Sequence, residues 1–137
     1  MKLLLSLCLG LFVCGITCNA RSEDRLLLHQ SDFDRGGGTN RWWLPLSRCK
    51  QLPIWQPNKG GPPLSLTKAI KIADKWITSK GSRGDVESIL LRPVTRNDAD
   101  PYRFTFYYMI EFGVAPYGNH LTCIVLMDGT VLEPERL

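Results

Sequence analysis

Residues 62–81 read PPLSLTKAIKIADKWITSKG, and this stretch decides the fold. Leu66, Ala69, Ile70, Ala73 and Ile77 recur at helical spacing, with Ile72 and Trp76 widening the apolar stripe. Thr67, Lys68, Lys71, Asp74, Lys75 and Thr78 fall on the opposite side. Ser65 is placed to cap the first free amides, Pro62 and Pro63 bar extension backwards, and Gly81 stands where a left-handed residue closes a helix. The spacing predicts one amphipathic helix whose apolar face needs a sheet to cover it.

Downstream, the pattern changes to a period of two. Residues 86–94 read as a first strand, with Ile89, Leu91 and Val94 toward the helix, and the cluster Asn97-Asp98-Ala99-Asp100-Pro101 reads as a turn. In residues 102–114, Tyr102, Phe104, Phe106, Tyr108, Ile110, Phe112 and Val114 alternate with Arg103, Thr105, Tyr107, Met109, Glu111 and Gly113. Residues 120–127 read as the returning strand. Asp128-Gly129 is read as a two-residue hairpin turn, with residues 130–133 as a short edge. Short connections make neighbouring strands antiparallel. The expected fold class is α+β: one helix packed on an antiparallel sheet of three to four strands, with an extended N-terminal arm.

Upstream, residues 1–20 have the form of a signal peptide: Lys2, an apolar run, then small residues at Cys18-Asn19-Ala20. The run is shorter than the roughly 20 residues a spanning helix needs, so no spanning helix is expected after cleavage. Gly15-Ile16-Thr17 before Cys18 is a poor lipoprotein signal, which favours simple secretion over lipidation of Cys18. The expected location is secreted or periplasmic. Residues 21–61 form an arm rich in Trp and Pro, and residues 62–137 form the folded domain. Within residues 41–57, Pro45, Pro53 and Pro57 interrupt Trp42, Trp43, Leu44, Leu46, Ile54 and Trp55, which argues for extended chain packed on the domain. The tryptophans are either buried by the arm or form a binding surface. Tyr107 and Met109 lie on the strand face turned from the helix, where packing of residues 41–55 would explain both.

The net charge of +4 is too small to point to nucleic acid. Outside residues 1–20 only Cys49 and Cys123 remain, which is compatible with one disulfide holding the arm to the sheet and equally with two separate buried thiols.

Leu64-Ser65-Leu66-Thr67-Lys68-Ala69-Ile70-Lys71-Ile72-Ala73 resembles the opening helix of the PepSY-like family, and Leu126-Met127-Asp128-Gly129-Thr130-Val131 resembles its final hairpin. The match runs over residues 64–131, with a looser likeness to the cystatin-like fold. The resemblance implies a small extracytoplasmic domain that binds or restrains a partner, in some relatives a peptidase, without catalysis. The Gln-x-Val-x-Gly hairpin of cystatin-type inhibitors is absent, and Pro53-Ile54-Trp55 does not replace it.

Motifs for chemistry are sparse. His120 and Cys123 are three apart on a strand, so their side chains point to opposite faces and cannot form a nucleophile–base pair. Neither histidine belongs to a cluster with metal spacing, and Asn97, Asp98 and Asp100 lack the Gly and Glu of a calcium loop. Arg83-Gly84-Asp85 spells an adhesion tripeptide, for which a solvated turn is the plainer reading. Lys68, Lys71 and Lys75 read as a solvated helix face. The expectation is therefore a secreted, non-catalytic binding or regulatory module with a protein partner in the envelope or extracellular space, and with neither cofactor nor metal. The alternative is a structural envelope-associated protein without a discrete ligand. The expected partner surface comprises Trp42, Trp43, Trp55, Tyr107, Tyr117 and His120.

Overall fold

In a computed structural model of the chain, which describes residues 24–32, 38–95, 100–114 and 119–137, nine regular elements follow one another. They are β1 (Arg25–Asp32), β2 (Thr39–Pro45), the single turn α1 (Leu46–Cys49), α2 (Leu66–Ser79), β3 (Asp85–Pro93), β4 (Phe106–Val114), β5 (Asn119–Leu126), β6 (Val131–Leu132) and β7 (Glu135–Arg136). The signal segment, Asn97, Asp98 and Tyr117 lie outside the described residues. The class is mixed α and β with strands dominant: a four-stranded sheet in the order β3-β4-β5-β6 and a three-stranded sheet in the order β1-β2-β7, both antiparallel.

Helix α2 forms where the sequence places it, and for the expected reasons. The Ser65 hydroxyl accepts from the Lys68 amide at 3.4 Å, while the Ser65 carbonyl takes the first helical bond from Ala69. At the other end Gly81 has φ +71°, its amide bonds Thr78 O at 3.0 Å, and the Ser82 amide bonds Ile77 O at 3.2 Å. This pair of reversed bonds uses carbonyls the helix leaves free, and only glycine reaches the φ without strain. Ala69, Ala73 and Ile77 are buried against Tyr108, Ile110, Phe112, Cys123 and Val125. Two alanines on the contact line let the helix axis approach the sheet closely. Leu66, expected in the stripe, is exposed in the first turn.

The other face of the four-stranded sheet is covered as well. Trp42 and Leu44 from β2, with Cys49 and Leu52, pack on Tyr107 and Met109 of β4 and on Ile124 and Leu126 of β5. Residues alternate along β4, so Tyr108, Ile110 and Phe112 serve the helix-side core while Tyr107 and Met109 serve this second core.

The first part of the arm is extended chain packed on the domain, as expected, but its form is regular. It is a β-hairpin whose β2 is the central strand of the three-stranded sheet, between β1 and β7. Its prolines fall at boundaries: Pro45 ends β2, Pro53 lies between elements, and Pro57 opens a 3-10 turn. None of them removes a donor from the middle of a strand. Beyond Leu52 the chain leaves the second core, and the Trp55 amide bonds Phe104 O at 2.9 Å. The Trp55 ring meets Phe106 edge-on at 5.1 Å.

Two further boundaries differ. The strand expected from residue 102 starts at Phe106, because the Asp100 carboxylate accepts from the Tyr102 amide at 2.8 Å and the Thr105 amide bonds Tyr102 O. A side chain that mimics a backbone turn overrides the alternation there. The β5–β6 connection has four residues, 127–130, with Gly129 at φ +87° after a turn closed by its amide on Leu126 O. Val125 pairs with Val131, a spacing that a two-residue loop does not give.

Candidate functional site

With helix and second sheet covering its faces, the four-stranded sheet is open at β3, whose single strand neighbour among the described residues is β4. Strand β1 is likewise an edge of its own sheet. The two edges lie on the same side of the molecule: a cleft of about 310 Å³ is lined by Leu27 and Leu28 of β1, by Arg92 and Pro93 of β3, and by Val94 and Tyr107.

The register of β1 shapes this cleft. Between Leu27 and His29 the pairing with β2 slips, so Leu28 has no residue opposite it, and its carbonyl accepts the Tyr107 hydroxyl at 3.1 Å. His29 stacks obliquely on Trp42 at 5.3 Å. Burial and the positive charge of Arg92 hold the His29 imidazole below its ordinary pKa, with Glu111 pulling the other way. Farther along the same sheet face the Ser88 hydroxyl donates to Glu111 at 2.5 Å, and His120 Nδ1 meets Glu87 at 2.8 Å.

The β3 edge carries the least covered apolar run of the four-stranded sheet. Leu90 is 39% and Leu91 41% exposed, on opposite faces because they are consecutive, and Val86 is exposed near the start. The Val94 amide bonds Thr105 O at 2.8 Å, which fixes the phase of the ladder with β4. By alternation from Val94, Arg92, Leu90 and Ser88 bond toward β4, while Leu91 and Ile89 direct their amides outward. Pro93 also stands at an outward position and has no amide to present there.

The residues expected to form a partner surface are not brought together. Trp42 and Tyr107 are buried, at 2% exposure each, because both belong to the second core. Trp43 pairs with Leu27 across the strands, with the Arg25 guanidinium 4.6 Å from its ring centroid. Trp55 is held by its indole N–H on Gly60 O and by Phe106. His120 is exposed beside Glu87, and Tyr117 lies outside the described residues.

Of the two readings left open for the cysteines, the structure has the separate buried thiols. Cys49 and Cys123 are free thiols, one in the second core and one beneath the helix, so the four-stranded sheet stands between them. Burial, with Glu133 adding, pushes the Cys123 thiol up to about 12, and burial with Asp100 raises Cys49. Iodoacetamide applied to the native protein will therefore modify neither, whereas in denaturant intact mass will rise by two carbamidomethyl groups. Failure to gain both groups without prior reduction would mean that the pair is oxidised.

Among the described residues no cluster of three or more His, Cys, Asp or Glu is placed to hold a metal ion, and no helix is long and apolar enough to cross a membrane. Gly84 of the adhesion tripeptide has a packing role: a Cβ there would run into the Gly113 carbonyl oxygen. The β3 edge was missed from sequence although it left a signal. The adjacent Leu90-Leu91 breaks alternation, so one of the two has to face away from the helix. Compared with protein-family models, with curated proteins and with solved structures, the chain matches none.

Proposed function

We propose that this chain is an extracytoplasmic, non-catalytic binding module that receives an extended polypeptide segment along β3. The observation that carries the reading is the uncovered β3 edge, with Leu90 and Leu91 exposed while both faces of its sheet are covered. Long apolar edges invite strand addition, and soluble proteins blunt those they do not use. In β3 the bulge between Val86 and Ser88 and the proline at position 93 limit pairing at the two ends, leaving Ser88 to Arg92 open.

The non-catalytic half of the reading is supported by how the reactive groups are engaged. Ser88 donates directly to the Glu111 carboxylate with no imidazole between them, and both thiols are buried with raised pKa values. The PepSY-like resemblance implies a protein partner, and an extended strand of such a partner would supply the segment. The exported location rests on the signal-like residues 1–20.

A fluorescent octapeptide Glu-Val-Thr-Ile-Val-Ile-Thr-Arg is the probe. It is expected to raise anisotropy saturably and to slow amide exchange at Ile89 and Leu91. A version N-methylated at alternate residues keeps the side chains and loses the bonds, and is expected not to bind. Equal binding of both peptides, or no protection at those amides, would overturn the proposal.

A further inference from the structure

The edge has a polarity that selects its occupant. β3 runs from acidic to basic: Asp85 and Glu87 lie at its start, Ile89, Leu90 and Leu91 at its centre, and Arg92 at its end. An antiparallel strand laid beside it is complementary only if its own order is acidic, apolar, basic. β3 has that order. Resting on the strand-addition reading, we infer that the segment β3 receives is β3 of a second copy of this chain, giving a two-fold dimer with one continuous eight-stranded sheet.

Backbone geometry narrows the register. A two-fold axis normal to the sheet keeps each side chain on its own face, so paired positions differ by an even number. The outward amides belong to Ile89 and Leu91, and pairing these two across the axis makes each a hydrogen-bonded partner of the other. Leu90 then meets Leu90 of the second copy at the axis, a non-hydrogen-bonded position where side chains come closest. Both half-exposed leucines become covered, one on each face.

The same register has an electrostatic consequence. Arg92 of one copy falls opposite Ser88 of the other, beside Glu87, while the Glu111 carboxylate holds that serine. Arg92 makes no hydrogen bond or ion pair within its own copy among the described residues. Two such contacts form per dimer, related by the axis. Pro93, which has no amide, lies at the limit of the pairing, next to the bulge at Glu87 in the second copy.

Sedimentation of protein purified from cells expressing the full-length chain is expected to show a concentration-dependent monomer–dimer equilibrium. Leu90→Lys sets two like charges face to face at the axis and should weaken the dimer at least about tenfold. Leu90→Cys should cross-link into a covalent dimer on mild oxidation, whereas Leu91→Cys, which faces Ile89 in this register, should not. Circular dichroism of each variant verifies folding, and the exposed positions make loss of fold unlooked for. A dimer that survives Leu90→Lys overturns the inference. So does a chain that stays monomeric at every concentration, and the octapeptide titration then separates the causes: a monomer that binds the peptide loses only the self-partner, and one that does not loses the edge reading as well.

Discussion

Trp42→Ala will lower the free energy of unfolding by about 3–5 kcal/mol, a fall in melting temperature on the order of 10–20 °C for a domain of this size. Trp42 heads the fully buried side chains by volume, and it lies where β2 meets Tyr107, Met109, Ile124 and Leu126. Removing it opens a cavity between the two sheets that β2 cannot close, since β1 and β7 hold β2 on both sides. The comparison with Trp42→Phe is the sharper test. The indole Nε1 is buried without a hydrogen-bond partner among the described residues, and such a group costs about 1–3 kcal/mol. Phe removes that donor while keeping most of the ring, so the loss of packing and the relief offset, and the variant should lie within about 1 kcal/mol of the parent. Urea unfolding of the three proteins measures both differences. A Phe variant as unstable as the Ala variant would mean that the indole N–H is satisfied.

Phe112→Ala will have an effect of similar size, about 3–5 kcal/mol, arising in the other core. Phe112 is fully buried on β4, paired with Val86 and Leu121, and packs in the cluster that contains Ala69, Ala73 and Ile77 of α2. The alanines that let the helix approach also have no long side chain to swing into the space. Phe112→Leu should cost about 1 kcal/mol, since its volume loss is smaller. Because β4 contributes alternate residues to both cores, helix signal at 222 nm and tryptophan fluorescence are expected to be lost together in every variant. Separate transitions would show that the second sheet unfolds independently.

Polar ties reinforce this coupling between layers. The Tyr108 hydroxyl donates to Leu64 O at 3.0 Å ahead of α2, and the Trp76 indole donates to Glu133 at 2.9 Å beyond β6. On the other side, Arg48 of α1 reaches Asp128 and Thr130 in the β5–β6 hairpin. Each is a side chain whose apolar body is packed and whose polar tip fixes a neighbouring element.

How much of this was legible varies with the kind of information each residue carries. The helix was, because stripe, Ser65 cap and Gly81 closure all act within one element. The two-faced role of β4 was legible from Tyr107 and Met109 standing opposite the helix-facing aromatics. The form of the arm was not. Its prolines counted against a strand over residues 41–57 as a whole, although the stretch Thr39–Pro45 has its proline only at the end.

By itself, then, the sequence determined the local elements: where α2 starts and stops, and which face of β4 meets it. Those outcomes follow from spacing, caps and turn residues, whose interactions span a few positions. Tertiary structure decided what lies against what. It put Cys49 and Cys123 in different cores, chose burial over a binding surface for Trp42 and Tyr107, and left β3 as an edge. Such facts depend on contacts between residues far apart in the chain, and no local period encodes which strand will be left without a neighbour.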